Sequence, residues 1–101
     1  MEDGDDIRID LPISLKEAVL GGKVKVPTPT GSVQMTLKPN ANTGTVLRLK
    51  GKGLPKRNGD NGDLFVTLKI VLAQEPDAEL TEFVSQWQPA DSFDPRSNLA
   101  A

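Results

Sequence analysis

At 101 residues and a net charge of −2, the chain suits one domain, complete or cut from a larger protein, that buries roughly 60–70% of its unfolded surface. It has no cysteine and no histidine, which excludes disulfides, thiolate chemistry, zinc sites of the usual kind and imidazole acid–base catalysis. No apolar run approaches the roughly 18–20 residues of a membrane span and no basic-then-apolar leader is read at the start, so no membrane partner is expected.

The small net charge hides a segregation. Residues 1–6 carry four acids and no base, residues 7–69 carry eleven bases against four acids, and residues 70–101 carry six acids against Arg96. A basic body between acidic ends is expected, whatever the overall balance suggests.

Residues 1–5 are polar and aperiodic and read as a linker or the cut end of a fragment. From Asp6, Ile7, Ile9, Leu11 and Ile13 alternate with Arg8 and Asp10, the period of a strand with one buried face. Pro12 removes a backbone donor, so this strand ends there or lies at an edge. Ser14 and Glu17 have capping-box spacing; Leu15, Ala18, Val19 and Leu20 have helical spacing, and Gly21-Gly22 stops the helix. Val24 and Val26 between Lys23 and Lys25 begin a second strand, and Pro27 to Gly31, with two prolines, is expected to form a hairpin loop outside the sheet. Val33, Met35 and Leu37 mark a third strand, Pro39 to Gly44 a turn, and Val46 to Lys50 a fourth strand.

Gly51 to Gly62, with four glycines and a proline, reads as a wide hairpin loop. Asp63 to Leu72 follows as the strongest strand, with Leu64, Val66, Leu68, Ile70 and Leu72 on one face; Phe65 and Val71 suggest that the other face is partly covered. Leu80, Phe83, Val84 and Trp87 fall at i, i+3, i+4 and i+7, an amphipathic helix opened by Pro76-Asp77 and ended by Pro89. The pattern predicts a mostly β protein, a small and mainly antiparallel β-sandwich with one short helix after the first strand and a C-terminal helix. Its divisions are 1–5, a sandwich over 6–76, a helix over 77–88 and a tail over 89–101.

The candidate chemistry is thin. Gly51-Lys52-Gly53 lacks the spacing, the hydroxyl residue and the strand-to-helix context of a phosphate loop. Asn58, Asp60, Asn61 and Asp63 gather oxygens, but the glycine is misplaced for a calcium loop and no glutamate closes it. No nucleophile has a base and no carboxylate pair stands out, so neither an enzyme nor a cofactor is expected. Five of the ten residues 48–57 are basic: Arg48, Lys50, Lys52, Lys56 and Arg57. They suit nucleic-acid phosphates, an acidic peptide or merely a solvated edge, with no aromatic interleaved along the chain. The apolar stripe Leu80, Phe83, Val84 and Trp87 fits either a helix closing its own core or a dimer contact.

The run Asp6-Ile7, Leu11-Pro12-Ile13-Ser14, Glu17-Ala18, Leu20-Gly21, Val26-Pro27-Thr28 and Gly31 resembles the C-terminal substrate-binding region of DnaJ-type (heat-shock protein 40) co-chaperones. So does Arg48, Gly51-Lys52-Gly53-Leu54-Pro55, Gly59 and Gly62-Asp63-Leu64. The likeness spans residues 5–87, and the tail Ser92-Phe93-Asp94-Pro95-Arg96 is most similar to the curved-DNA-binding-protein type, which lacks a zinc module. Such proteins carry two β-sandwich domains in series, and this chain resembles the second. No J domain, His-Pro-Asp tripeptide, glycine/phenylalanine linker or first β domain is present, which implies a fragment that does not by itself stimulate a DnaK ATPase.

The resemblance implies a cytoplasmic, non-catalytic module of protein folding and the stress response. It would help to hold unfolded polypeptides, form a homodimer and serve a DnaK-type chaperone through the parent protein. It further implies client contact at Ile9, Leu11, Val26 and Thr28, with Val66 nearby, and dimerisation through Leu80, Phe83, Val84 and Trp87. The alternative is DNA binding through residues 48–57.

Overall fold

The computed structural model describes residues 2–90 and 93–99. Its elements are β1 (Glu2–Asp3), β2 (Asp6–Ser14), α1 (Leu15–Leu20), β3 (Gly22–Thr28), β4 (Gly31–Leu37), β5 (Val46–Leu49), β6 (Leu64–Val71) and α2 (Ala78–Gln86). The mostly β architecture is as expected: two small sheets, a short helix after the first long strand and a C-terminal helix. One sheet has the order β1-β2-β6-β5 and the other is the ribbon β3–β4.

Three features differ from the sequence expectation. Residues 1–5, expected to be a linker, contribute β1, which pairs antiparallel with Asp6 and Ile7. The central pair β2–β6 is parallel, from Ile7↔Leu64 to Ser14↔Val71, while the other pairings are antiparallel. The loop expected over Pro27 to Gly31 shrinks to Pro29-Thr30, because Pro27 pairs with Ser32 and Thr28 with Gly31. Every second residue of an antiparallel pair turns its N–H away from its neighbour, and a proline on an edge strand at such a position removes no ladder bond. The Thr28 hydroxyl also donates to the Gly31 carbonyl and closes the turn.

The capping box forms as its spacing requires. Glu17 N–H donates to Ser14 Oγ at 3.1 Å, and Ser14 N–H to Glu17 Oε1 at 3.0 Å. The carbonyls at the end of α1 find donors in the turn after β4, Ala41 N–H to Ala18 at 2.8 Å and Asn40 N–H to Val19 at 3.1 Å. The same turn satisfies β6 above β5, through Gly44 N–H to the Leu68 carbonyl and Ile70 N–H to Thr43 Oγ1.

The core lies between the layers. Ile13, Leu64, Val66 and Leu68 of the sheet meet Val26, Met35 and Leu37 of the ribbon, and α1 adds Ala18. The ribbon turns Lys23, Lys25, Gln34 and Thr36 to solvent. The radius of gyration, 17.4 Å, exceeds the roughly 13 Å of a compact chain this long, and α2 buries none of its residues.

Leu68→Ala should reduce the unfolding free energy by about 2–5 kcal/mol, read as a lower urea midpoint at unchanged slope. A loss below about 1 kcal/mol would place Leu68 outside a tightly packed core.

Candidate functional site

The five positions expected to touch a client are not brought to one surface. Val26 and Val66 are 0% exposed and belong to the core, which corrects the expectation that they touch a client directly. Their alternation marks a buried face, and a buried face does not say whether the layer above is open or filled. Ile9 and Leu11 are half-buried, packed against the core from the inner face of β2, and Thr28 is half-buried at the end of β3. Because β1 pairs only with Asp6 and Ile7, the outer edge of β2 from Arg8 to Ser14 has no strand beside it among the described residues. An open strand edge with half-covered Ile9 and Leu11 below it is therefore present.

The basic segment is a stitched loop at the opposite end of the sheet from α1. Leu54 N–H donates to the Asp5 carbonyl at 2.9 Å, Gly53 N–H to Gly62 at 2.8 Å and Gly62 N–H to Leu54 at 2.8 Å. Asp63 N–H donates to Asp6 Oδ1 at 2.7 Å, and Ile7 N–H to the Asp63 carbonyl at 2.9 Å. Gly62 and Gly53 are needed for close approach: a Cβ on Gly62 would overlap the Asp5 carbonyl, and one on Gly53 would lie 2.6 Å from the Asp63 carbonyl oxygen.

Asp63 is the hub of this loop. Its carboxylate accepts from Gly51 N–H at 2.9 Å and from Arg48 Nε at 2.6 Å, with Arg48 Nη2 at 2.5 Å. The Gly51 bond, then the Arg48 bond, hold the Asp63 carboxyl below the usual aspartate range, and the charges of Arg48 and Lys56 add to this. Arg48 thus has a structural partner, whereas Lys50, Lys52, Lys56 and Arg57 are exposed. The clustered polar groups serve the loop itself: Asn58 Oδ1 accepts from Asp60 N–H, and Asn61 Nδ2 donates to the Gly51 carbonyl. No group of side chains suited to a metal ion occurs among the described residues.

Helix α2 does not close the core. Asp77 caps it through Leu80 N–H at 3.2 Å, and none of its residues is buried. Phe83 is 68% and Trp87 57% exposed, Val84 is exposed, and only Leu80 is half-covered. Trp87 lies just past the last turn, and its N–H donates to the Val84 carbonyl. Beside the helix a groove of about 780 Å³ runs between α1 and the β6–α2 connection, with Leu15, Val19, Leu20, Leu72, Pro76 and Leu80 as its apolar lining. Val19 and Leu20 have helical spacing, yet they line this groove and not the core.

What the sequence did not give is which residues neighbour Phe65 on the outer face of the four-stranded sheet. That face, expected to be partly covered, is half-buried at Phe65 and Thr67, while Arg8, Asp10, Val46, Arg48, Lys69 and Val71 are exposed on it. The register sets Phe65 of β6 between Arg8 of β2 and Arg48 of β5. The Arg8 guanidinium carbon lies 4.7 Å from the Phe65 ring centroid. No aromatic interleaves residues 48–57 along the chain; the sheet supplies one from across two strands.

Asp63→Asn should remove the acid-sensitive part of the loop's stability. Because the folded Asp63 pKa is depressed, its contribution is complete above the ordinary aspartate pKa and is lost as pH falls through the folded value. At neutral pH the variant should show faster amide exchange at Gly51 and a lower melting temperature, and its acid unfolding should be shallower than that of the parent chain. Identical acid limbs would show that Asp63 does not stabilise the loop.

Comparison with known proteins agrees with this architecture. The profile of the DnaJ C terminal domain matches residues 1–73. Chaperone protein DnaJ 2 of Nocardia farcinica is 41% identical over 96% of this chain, and the chain covers 26% of that protein. Curved DNA-binding protein of Coxiella burnetii is 42% identical over 96% of the chain, which covers 30% of it, and that of Pseudomonas syringae pv. tomato is 38% identical over 94% and 30%. The chain thus spans less than a third of the length of these relatives. With its two-sheet architecture, its capped helix after the first long strand and a family match over most of its length, the chain belongs to the DnaJ C-terminal domain family.

Proposed function

We propose that the chain is a non-catalytic co-chaperone module that holds unfolded polypeptide and pairs two copies of its parent protein, which passes clients to a DnaK-type chaperone. The observation that carries this reading is apolar surface left uncovered at two separate places. One is the stripe Phe83, Val84 and Trp87 of α2, with the groove beside it. The other is the open edge of β2 above Ile9 and Leu11. The name chaperone carried by one relative supports the same reading.

The two places suit different tasks. A large aromatic stripe facing an apolar groove on a copy of itself can bury enough area for a lasting contact, and aromatics concentrate the energy of such contacts. A strand edge offers backbone hydrogen bonds that ignore side-chain identity, which suits clients of many sequences. Contact with a half-covered Leu11 adds only a modest apolar gain at about 25 cal/mol per Å², so holding stays reversible. Pairing two weak edges in a dimer raises the effective concentration of the second.

A second reading is nucleic-acid binding through residues 48–57. It is favoured by the exposure of Lys50, Lys52, Lys56 and Arg57 and by relatives named curved DNA-binding protein. Arg48 has a lesser part in it, being tied to Asp63.

Phe83→Ala or Trp87→Ala should shift a dimer to monomer in light scattering while the unfolding transition stays cooperative; a parent chain monomeric at all concentrations would remove the pairing role. Leu11→Ser should weaken capture of a labelled unfolded peptide about five- to tenfold. Peptide capture should barely change between about 50 and 200 mM salt, whereas duplex DNA binding should fall by orders of magnitude. Peptide capture that collapses with salt would sink the client reading.

A further inference from the structure

The row Arg8–Phe65–Arg48 crosses three strands of an open sheet face. Phe65 is half-buried, and the Arg8 guanidinium lies over its ring. Asp63 bonds Arg48 through Nε and Nη2. Those bonds lie in the guanidinium plane, so the edge is held and the flat face stays available for stacking. This row adjoins the basic loop, since Lys50 follows directly from β5 and the charge of Lys56 acts on Asp63 at the start of β6. Flat cationic and aromatic groups thus stand next to mobile-length lysine side chains, with Lys69 on the same face.

We infer that this face binds single-stranded nucleic acid, with an unpaired base stacked on the Arg8–Phe65 pair and phosphates held by Lys50, Lys52 and Lys56. The inference rests on the nucleic-acid reading above and adds the state of the strand and the stacking site. Bases read by stacking must be free of a partner strand, and aromatic rings and guanidinium planes are the groups that take them. Duplex phosphates can meet the same lysines, but the paired bases of a duplex are stacked on one another and closed to the Arg8–Phe65 pair. Helix α2, which holds Glu79 and Glu82 and no lysine or arginine, adds no groove-reading element that would favour the duplex. An acidic peptide would use the charges but gain nothing from the planar stack.

Fluorescence anisotropy of the 101-residue chain with a labelled oligothymidylate of about 15 nucleotides, a duplex of equal length and a polyglutamate peptide tests this, at about 50 mM salt. The single strand should bind about tenfold more tightly than the duplex, and Phe65→Leu should cost about tenfold on the single strand alone. The triple variant K50Q/K52Q/K56Q should weaken both nucleic acids. If Phe65→Leu alters thermal unfolding, Arg8→Gln supplies the same readout and should reproduce the selective loss. Binding of both nucleic acids with no effect of either platform variant overturns the stacking site and leaves the nucleic-acid reading standing. Absence of binding to both overturns the two together. Polyglutamate binding as tight as the oligonucleotide's reduces the face to a charge site and overturns the stack.

Discussion

The parallel pairing of β2 with β6 joins the first long strand to the last through eight consecutive residue pairs, from Ile7↔Leu64 to Ser14↔Val71. Parallel neighbours need a long crossover, and here everything between the two strands forms it: the capped helix, the ribbon, the turn and β5. The pairing puts Ile13, Leu64, Val66 and Leu68 on one apolar floor, over which the ribbon lays Val26, Met35 and Leu37. Every surface discussed above is a consequence of this arrangement. The ribbon covers the centre of the inner face and leaves Ile9 and Leu11 half-covered, the outer face is left open, and β2 keeps a free edge because β1 reaches only its first two residues.

The loop from Gly51 to Asp63 locks the end of that pairing. It returns the chain from β5 to β6 while bonding to Asp5 ahead of β2 and to Asp6 at its start, so distant segments meet at one place. Such closeness demands glycine where backbone presses on backbone, at Gly53 and Gly62, and short acceptors where N–H groups would otherwise lack partners. The composition that hints at a phosphate or calcium loop is thus accounted for by the loop's own backbone. The cost is that Arg48, the first of the basic cluster, is committed to Asp63.

The remaining polar and apolar exposure sorts into three separate places. The α2 stripe and its groove lie at the C-terminal side, the β2 edge flanks the sheet, and the Arg8–Phe65–Arg48 row lies on the outer face beside the loop. The α2 stripe lies apart from the other two, so the proposed self-association draws on side chains of its own, whereas Arg8 belongs both to the open edge of β2 and to the row with Phe65. Charge separates them further: α2 is acidic and the loop basic.

The sequence by itself determined the local elements. Period-two alternation at Ile7–Ile13 and Leu64–Ile70, the Ser14/Glu17 box and the i, i+3, i+4, i+7 stripe of α2 each depend on neighbours a few residues away, so they can be read without a fold. The family likeness was legible as residue types in a fixed order, even where Gly53 and Gly62 answer contacts with distant segments. Only the tertiary structure decided that β2 and β6 run parallel and that Val26 and Val66 are sealed. It also decided that Val19 and Leu20 face a groove and that Phe65 stands between two arginines. Alternation says that a residue shares a face with its second neighbour; it does not say which strand lies alongside or whether another layer covers that face, because those depend on contacts between residues far apart in the chain.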